Sequence, residues 1–228
     1  MKRTAERVFR FLADLLFPPR CVFCGEVIPP GTKICGKCEK TVLPKKTILR
    51  LHLNSPDSVV PCAALFAYEG KVRESMLRYK FRGEKHCGDY YAEKLAAFVR
   101  EVFPETSFSL VTWVPLSVSG KKKRGYDQAE WIARLLGREL GIPCLPSLRK
   151  IKENRTQHLL RREERAANVR GVYSAVGSAQ EGKTVLLVDD IVTTGATLSE
   201  CAAVLLRSGA KEVICAAAAH TDKEPVEK

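Results

Sequence analysis

Residues 185–198 have the sequence VLLVDDIVTTGATL, an apolar run that leads through two adjacent carboxylates into a threonine-rich turn. An unbroken Val/Leu run of this length is typical of a central parallel strand that is buried on both faces. Open α/β sheets bind their ligands at the carboxyl ends of such strands. The stretch therefore predicts an α/β fold with a ligand site where this strand ends.

The residues after the apolar run indicate what that site binds. Asp189 and Asp190 repel one another unless a partner donates hydrogen bonds to both, and the 2′- and 3′-hydroxyls of a ribose can do so. The following turn predicts a helix N-terminus whose hydroxyls and amides hold a phosphate. Its residues are Thr193, Thr194, Gly195, Ala196 and Thr197. A plain helix cap is the alternative, but a cap needs only one such residue.

Length and composition limit the class of protein. The chain has 228 residues, 45% of them hydrophobic, which is enough for one main domain with a small appendage. No stretch reaches the ~18 apolar residues of a membrane span. Arg7, Arg10 and Asp14 interrupt the apolar N-terminus, which is therefore unlike an export signal. These features predict a cytoplasmic protein.

The net charge of +12 is unevenly distributed. Residues 1–50 carry eleven Lys and Arg against four acids, and residues 149–170 carry eight against three. Such a surface attracts polyanions, and pyrophosphate groups, nucleic acid and an anionic membrane surface are all candidates. A solvated basic surface without a partner is the alternative.

Four of the nine cysteines form two CxxC pairs, Cys21 with Cys24 and Cys35 with Cys38. This spacing lets four thiolates converge on one tetrahedral metal and predicts a structural zinc ion with no open coordination position. The other five cysteines are predicted to be reduced thiols. They are Cys62, Cys87, Cys144, Cys201 and Cys215.

The chain divides into three predicted parts: an amphipathic helix at 1–19, a zinc module at 20–45 and the main domain at 55–222. We expect the helix to dock on the protein, with binding to a membrane surface as the alternative. Alternating elements in the main domain predict a mainly parallel sheet with flanking helices. The predicted strands are 60–68, 110–114, 185–188 and 213–218. The predicted helices are a basic segment that contains 79–85, then 90–103, 127–140 and one from the threonine turn to 208. Residues 117–124 are predicted to be a loop, and 154–170 a mobile basic arm or helical hairpin over the site.

The 185–198 segment resembles the phosphoribosyl pyrophosphate (PRPP) motif of type I phosphoribosyltransferases. In that motif two acids hold the ribose hydroxyls and the next loop holds the 5′-phosphate. The resemblance implies that Asp189 and Asp190 bind the ribose and that residues 193–197 bind the 5′-phosphate. It also implies magnesium, bound mainly through oxygens of the ligand itself.

A phosphoribosyltransferase must also hold its pyrophosphate leaving group with cations. In that fold a pyrophosphate loop follows the strand predicted at 110–114. The candidate residues there are Ser117, Lys121, Lys122, Lys123 and Arg124. A solvated run of charge is the alternative for these cations.

Several further motifs make the chain similar to the ComF family over nearly its whole length. They follow the four-cysteine module in the order Lys80 to Gly83, Val114 to Leu116, Arg124 to Ala129, Arg155 to Gln157 and Arg165 to Gly171. Asp127 stands where the family pattern has asparagine. The resemblance implies a role in natural competence and DNA uptake, in which incoming single-stranded DNA and competence proteins are partners.

Two features leave transferase activity unassigned, and no catalytic residue is predicted. Purine-salvage transferases commonly place a carboxylate where this chain has Thr193, and a hydroxyl is a poor proton shuttle. The early cysteines are assigned to zinc, so a glutamine-dependent amidotransferase nucleophile is not expected. The alternative function is a single-stranded nucleic-acid-binding accessory factor with a vestigial or regulatory transferase site. Its distinguishing feature would be exposed aromatics among cations, for which the candidates are Phe23, Tyr79, Phe81 and Tyr126.

Overall fold

The computed structural model describes residues 18–53, 58–152 and 169–221. The helix predicted at 1–19 and the arm predicted at 154–170 lie almost wholly outside the described residues. The strands are β1 (Thr47–His52), β2 (Val59–Ala67), β3 (Leu110–Trp113), β4 (Leu148–Lys150), β5 (Tyr173–Ala175), β6 (Thr184–Val192) and β7 (Glu212–His220). The helices are α1 (Gly36–Thr41), α2 (Gly70–Phe81), α3 (Lys85–Val102), α4 (Val118–Arg124), α5 (Gln128–Leu140) and α6 (Ala196–Arg207).

A five-stranded sheet in the order β1-β2-β7-β6-β3 forms the centre of the fold. Its inner pairs are parallel, and only the edge strand β1 runs antiparallel to its neighbour. Helices α3 and α5 pack on one face and α6 on the other, so alternate residues of β6 enter two separate cores. The predicted α/β fold with a mainly parallel sheet is confirmed.

Strand β6 is longer than the apolar run that predicts it. It continues through both acids to Val192, because Asp189 pairs with Ala217 and Ile191 with Ala219 on β7. The two carboxylates therefore lie near the end of a regular strand, where successive side chains point to opposite faces of the sheet. Asp189 and Asp190 are consequently held by backbone pairing and not by a loop.

The loop predicted at 117–124 is wrong, because most of it forms the short helix α4. The Ser117 hydroxyl accepts a hydrogen bond from the Gly120 amide at 3.1 Å and caps the first turn. Gly125, with φ of 78°, ends the helix in the left-handed conformation. The cationic run is therefore presented on a helix.

The four-cysteine segment shares a hydrophobic core with the sheet. The buried Phe23 ring packs edge-to-face on Phe66 and Tyr90, with centroids 5.6 and 5.5 Å away. Arg78 of α2 donates to the carbonyl oxygens of Val22 at 2.7 Å and Phe23 at 3.1 Å. This segment is thus fixed to α2 and α3 by both apolar and polar contacts.

A membrane-spanning helix would need a long apolar stretch, and no helix among the described residues has one.

Candidate functional site

The acidic pair lies close to a cation from another element. Lys80, in the last turn of α2, places its Nζ 3.0 Å from Asp190 Oδ2. The Asp190 amide donates to Asp189 Oδ1 at 2.8 Å. Burial, together with the charge of Asp190, raises the pKa of Asp189 well above its usual value, and Lys80 partly opposes this effect. A ligand that donates hydrogen bonds to the two carboxylates would therefore stabilise their ionised form.

The turn after β6 has a backbone that only glycine adopts without strain. Gly195 has φ of 79° and lies at the N-cap of α6. A Cβ on Gly195 would lie 2.6 Å from Leu51 Cδ2, so the position also lacks space for a side chain. The Thr194 hydroxyl accepts from the Ala196 amide at 3.4 Å, which orients the first turn of the helix. The arrangement presents a helix N-terminus next to the acidic strand.

A cavity of about 450 Å³ opens beside this turn, between β1 and α6. It reaches Thr194, Ala196 and Ser199 on the turn and helix, and Arg50 and Arg170 on the other side. The two arginines bring positive charge to this cavity, and Glu200 lines it with one carboxylate.

The predicted pyrophosphate residues lie together on and before α4. Lys121 pairs with Glu130 at 2.9 Å, and Arg124 donates to the Gln128 side chain at 2.8 Å. Lys122 and Lys123 are exposed. The Arg124 guanidinium also lies 5.4 Å from the centroid of the Phe81 ring. Through this contact α4 adjoins the end of α2 that carries Lys80.

Asp127, which departs from the family asparagine, has a structural function here. Its carboxylate accepts from the amides of Leu116 at 2.8 Å and Glu130 at 3.2 Å, so it joins the start of α5 to the segment before α4. The pKa of Asp127 is raised, chiefly by burial, and the hydrogen bonds from these two amides offset only part of the rise. A carboxylate can accept both bonds on separate oxygens, whereas an asparagine has one acceptor oxygen.

The four cysteines of the two CxxC pairs converge, with their sulfurs all within 4.8 Å of one another. Cys24 Sγ lies 3.7 Å from Cys35 Sγ, which is too long for a disulfide. A tetrahedral site with Zn–S bonds of ~2.3 Å requires sulfurs about 3.8 Å apart, so this spacing fits zinc. The cluster supports the predicted structural zinc ion.

Hydrogen-bond donors are directed at the sulfurs of Cys21 and Cys38, although burial raises the pKa of Cys38 and, to about 12, that of Cys24. Burial raises the pKa of Cys21, but the backbone amides directed at its sulfur outweigh that effect and lower it to about 6. The amide of Cys35 is one of these donors, at 3.3 Å, and Lys71 of α2 donates to Cys38 Sγ at 3.4 Å. Such outer hydrogen bonds orient metal-binding sulfurs.

The structure also identifies features that sequence reasoning missed. Lys80 belongs to a motif that signals the family, but its contact with Asp190 joins residues distant in sequence. Of the four aromatic candidates for nucleic-acid stacking, Phe23, Tyr79 and Tyr126 are buried, and Phe81 is 58% exposed. The first three are core residues, and Phe81 alone among those four retains the stacking interpretation.

Comparison with known proteins agrees with this architecture. The sequence matches the phosphoribosyl transferase domain family over residues 101–228 and the double zinc ribbon domain family over residues 12–48. The chain is therefore a member of the phosphoribosyltransferase-domain class with an N-terminal zinc ribbon.

Curated relatives identify the family within that class. Competence protein ComFC of Bacillus subtilis is 27% identical over 194 residues, covering 83% of this chain and 72% of the relative. Competence protein ComFC of Streptococcus pneumoniae is 31% identical, with 80% and 79% covered. DNA utilization protein YhgH of Escherichia coli K12 is 33% identical, with 87% and 96% covered. The chain belongs to the ComF family.

Among solved structures, the B. subtilis glutamine PRPP amidotransferase complexed with ADP and GMP is 25% identical, with a TM-score of 0.41. The match covers 57% of this chain but only 26% of that chain.

Proposed function

We propose that this chain binds PRPP, or a related phosphoribosyl group, together with magnesium at the junction of β6 and α6. The observation that carries the proposal is the placement of Asp189 and Asp190 at the end of β6, directly before a glycine-opened helix N-terminus. The carboxylates accept hydrogen bonds from the ribose hydroxyls. The amides and hydroxyls of residues 193–197 bind the 5′-phosphate.

Charge explains how the rest of the ligand is bound. Oxygens of the ribose and pyrophosphate, with the nearby carboxylates, are the hard ligands that magnesium prefers. The pyrophosphate binds to α4, through the Ser117 hydroxyl and the cations at positions 121–124. Magnesium supplies neutralisation of the pyrophosphate charge.

Isothermal titration of the full chain with PRPP, with and without magnesium, tests this function. We expect binding in the wild type and a loss of at least tenfold in affinity for the Asp189→Asn/Asp190→Asn variant, because hydrogen bonds to charged groups contribute about 1.5–3 kcal/mol each. The matched control is Asp89→Asn, an exposed carboxylate that accepts from the Trp131 indole. Wild-type affinity in the double variant would refute these roles for the two acids.

Catalysis of phosphoribosyl transfer is tested separately with the same protein. Pyrophosphate release from PRPP is measured with a panel of nucleobases and amines as acceptors. Release above the acceptor-free rate would make the chain a pentosyl transferase, with the C1–O bond broken and a C1–N bond formed. No release with bound PRPP would favour a regulatory site.

A second candidate function is binding of single-stranded nucleic acid. The observation that favours it is the exposed Phe81 ring, which lies 5.4 Å from the Arg124 guanidinium. The exposed Lys122 and Lys123 are on the same helix as Arg124. Cations and a free ring face are the parts of a sequence-tolerant single-strand site. The name DNA utilization protein, carried by a relative, is consistent with this function.

A further inference from the structure

Lys80 and Asp190 form an ion pair in a confined place. Their side chains are only 16% and 11% exposed, and Nζ lies 3.0 Å from Oδ2. Limited exposure reduces solvent screening, so the attraction between these two charges is stronger than in an exposed surface pair. Lys80 thus occupies one oxygen of the carboxylate to which the proposed function assigns a ribose hydroxyl.

The backbone that carries Lys80 is held in place from several sides. The buried Tyr79 donates its hydroxyl to the Gln128 carbonyl oxygen at 2.8 Å, and the Tyr126 hydroxyl donates to the Tyr79 carbonyl oxygen. The two tyrosine rings pack edge-to-face with centroids 5.6 Å apart. Gly88 of α3 leaves space for the Tyr79 ring, because a Cβ there would lie 2.6 Å from it. The base of Lys80 is fixed, and its flexible stem provides the movement.

Lys80 contacts the acidic pair, and the end of α2 that carries it adjoins the cationic helix α4 through Phe81. Asp190 contacts the Lys80 ammonium. The next residue, Phe81, contacts Arg124 at the end of cationic α4. In a phosphoribosyl pyrophosphate the leaving group is attached to C1, next to the carbon that carries the 2′-hydroxyl. A cation beside the diol-binding carboxylate is therefore beside the pyrophosphate as well.

We propose that Lys80 is a pyrophosphate-binding residue that exchanges partners when substrate binds. The ribose hydroxyls donate to Asp190 and displace the ammonium, which then binds the pyrophosphate oxygens. This inference rests on the proposed function and adds a residue to it. In the free protein Lys80 neutralises the acidic pair. When substrate binds, the ion pair with Asp190 is replaced by one with the pyrophosphate, so no ion pair is lost overall.

Two ligands separate this role from simple neutralisation of the acids. PRPP and ribose 5-phosphate share the ribose and the 5′-phosphate, and only PRPP carries the pyrophosphate. In titrations with Lys80→Gln we expect PRPP to bind at least tenfold more weakly. Ribose 5-phosphate should keep its affinity within about twofold, or bind more tightly, because it no longer displaces an ion pair.

Further variants make the result interpretable. Lys80→Arg keeps the charge and should retain PRPP binding within about threefold of the wild type, because a guanidinium also binds phosphate oxygens. Lys94→Gln, a half-exposed lysine of α3 that pairs with Glu93, is the matched control and should change neither affinity. Thermal unfolding of each variant verifies that it is folded.

The contrary outcomes are distinct. Equal weakening of both ligands in Lys80→Gln would assign Lys80 to charge neutralisation and overturn the exchange. Unchanged PRPP affinity in that variant would overturn it too, while leaving the proposed function intact if the wild type binds. A wild type that binds neither ligand would overturn the proposed function and the inference with it.

Discussion

The Leu51 side chain of edge strand β1 packs directly against Gly195, the residue that opens helix α6. Leu51 is buried and belongs to the core on the α6 side of the sheet. The contact links an antiparallel edge strand, which carries no predicted ligand residue, to the proposed phosphate turn. The shape of that turn therefore depends on packing as well as on its own sequence.

Gly195→Ala should distort this turn. The new Cβ would require both a left-handed backbone at a non-glycine residue and displacement of Leu51, each costing on the order of 1–3 kcal/mol. We expect a lower melting temperature and at least tenfold weaker PRPP binding, measured by thermal unfolding and titration. Gly141→Ala is the matched control, because Gly141 has φ of 72° and open space around it. Equal destabilisation in the two variants would show that the Leu51 contact is unimportant.

Asp189→Asn should stabilise the protein while impairing the site. Folding raises the pKa of Asp189, chiefly through burial. The folded state consequently holds this proton more tightly than the unfolded chain. The stability that protonated Asp189 contributes is fully present below the unfolded-state pKa of ~3.9. It is lost as the pH rises through the folded-state pKa.

The side-chain amide of the Asp189→Asn variant cannot ionise, so the variant does not lose this stability as the pH rises. We expect its melting temperature to exceed that of the wild type by about 2–4 °C at pH 7.5, the shift for ~1 kcal/mol in a domain of this size. The difference should shrink towards pH 4. Thermal unfolding at both pH values measures it, with Asp89→Asn as the exposed control. A difference that grows on acidification would contradict the sign of this pKa shift.

Loss of zinc should weaken the main core and not the cysteine segment alone. The Cys35→Ser/Cys38→Ser variant should hold well under one zinc ion per chain, because two thiolates cannot complete the tetrahedral site. Release of Phe23 from its aromatic neighbours removes about 1.5–3 kcal/mol of burial, so the melting temperature should fall by about 3–12 °C.

Metal analysis and thermal unfolding measure these effects. Cys144→Ser changes a partly buried thiol outside the cluster and should retain one full equivalent. A full equivalent of zinc in the double variant would exclude Cys35 and Cys38 as ligands.

Local patterns in the sequence predict the centre of this fold and much of the candidate site. The Val/Leu run predicts a buried parallel strand, and CxxC spacing predicts a converging cysteine cluster, because both signals lie within a short segment. Helix α4 was missed because four consecutive cations show no apolar periodicity, although Ser117 and Gly125 are typical cap residues.

Local sequence patterns do not predict contacts between residues that are far apart in the chain. Lys80 meets Asp190 only because α2 ends beside β6, and Leu51 meets Gly195 only because β1 is added to the sheet edge. The burial of Phe23, Tyr79 and Tyr126 likewise follows from tertiary packing. Aromatic residues flanked by cations in sequence are therefore weak indicators of a nucleic-acid surface.

Single-stranded DNA binding should depend on Phe81 and on α4. We expect affinity to fall with salt, with a log–log slope of about −0.7 per phosphate contacted. Phe81→Ala should weaken binding by about 5- to 150-fold, because a base stacked on an aromatic ring contributes about 1–3 kcal/mol. Lys122→Gln/Lys123→Gln should reduce the slope, because it removes two phosphate partners. Anisotropy titrations at two salt concentrations measure both effects.

Two comparisons make this prediction decisive. Leu145→Ala truncates another exposed apolar side chain and should leave DNA affinity unchanged. PRPP titration of Lys122→Gln/Lys123→Gln shows whether α4 serves both ligands: weakening of both would place DNA and pyrophosphate on one cationic helix, and weakening of PRPP alone would place DNA elsewhere. Affinity that is insensitive to salt, or absent at low salt, would refute the nucleic-acid function, because cationic contacts with phosphates are its physical basis.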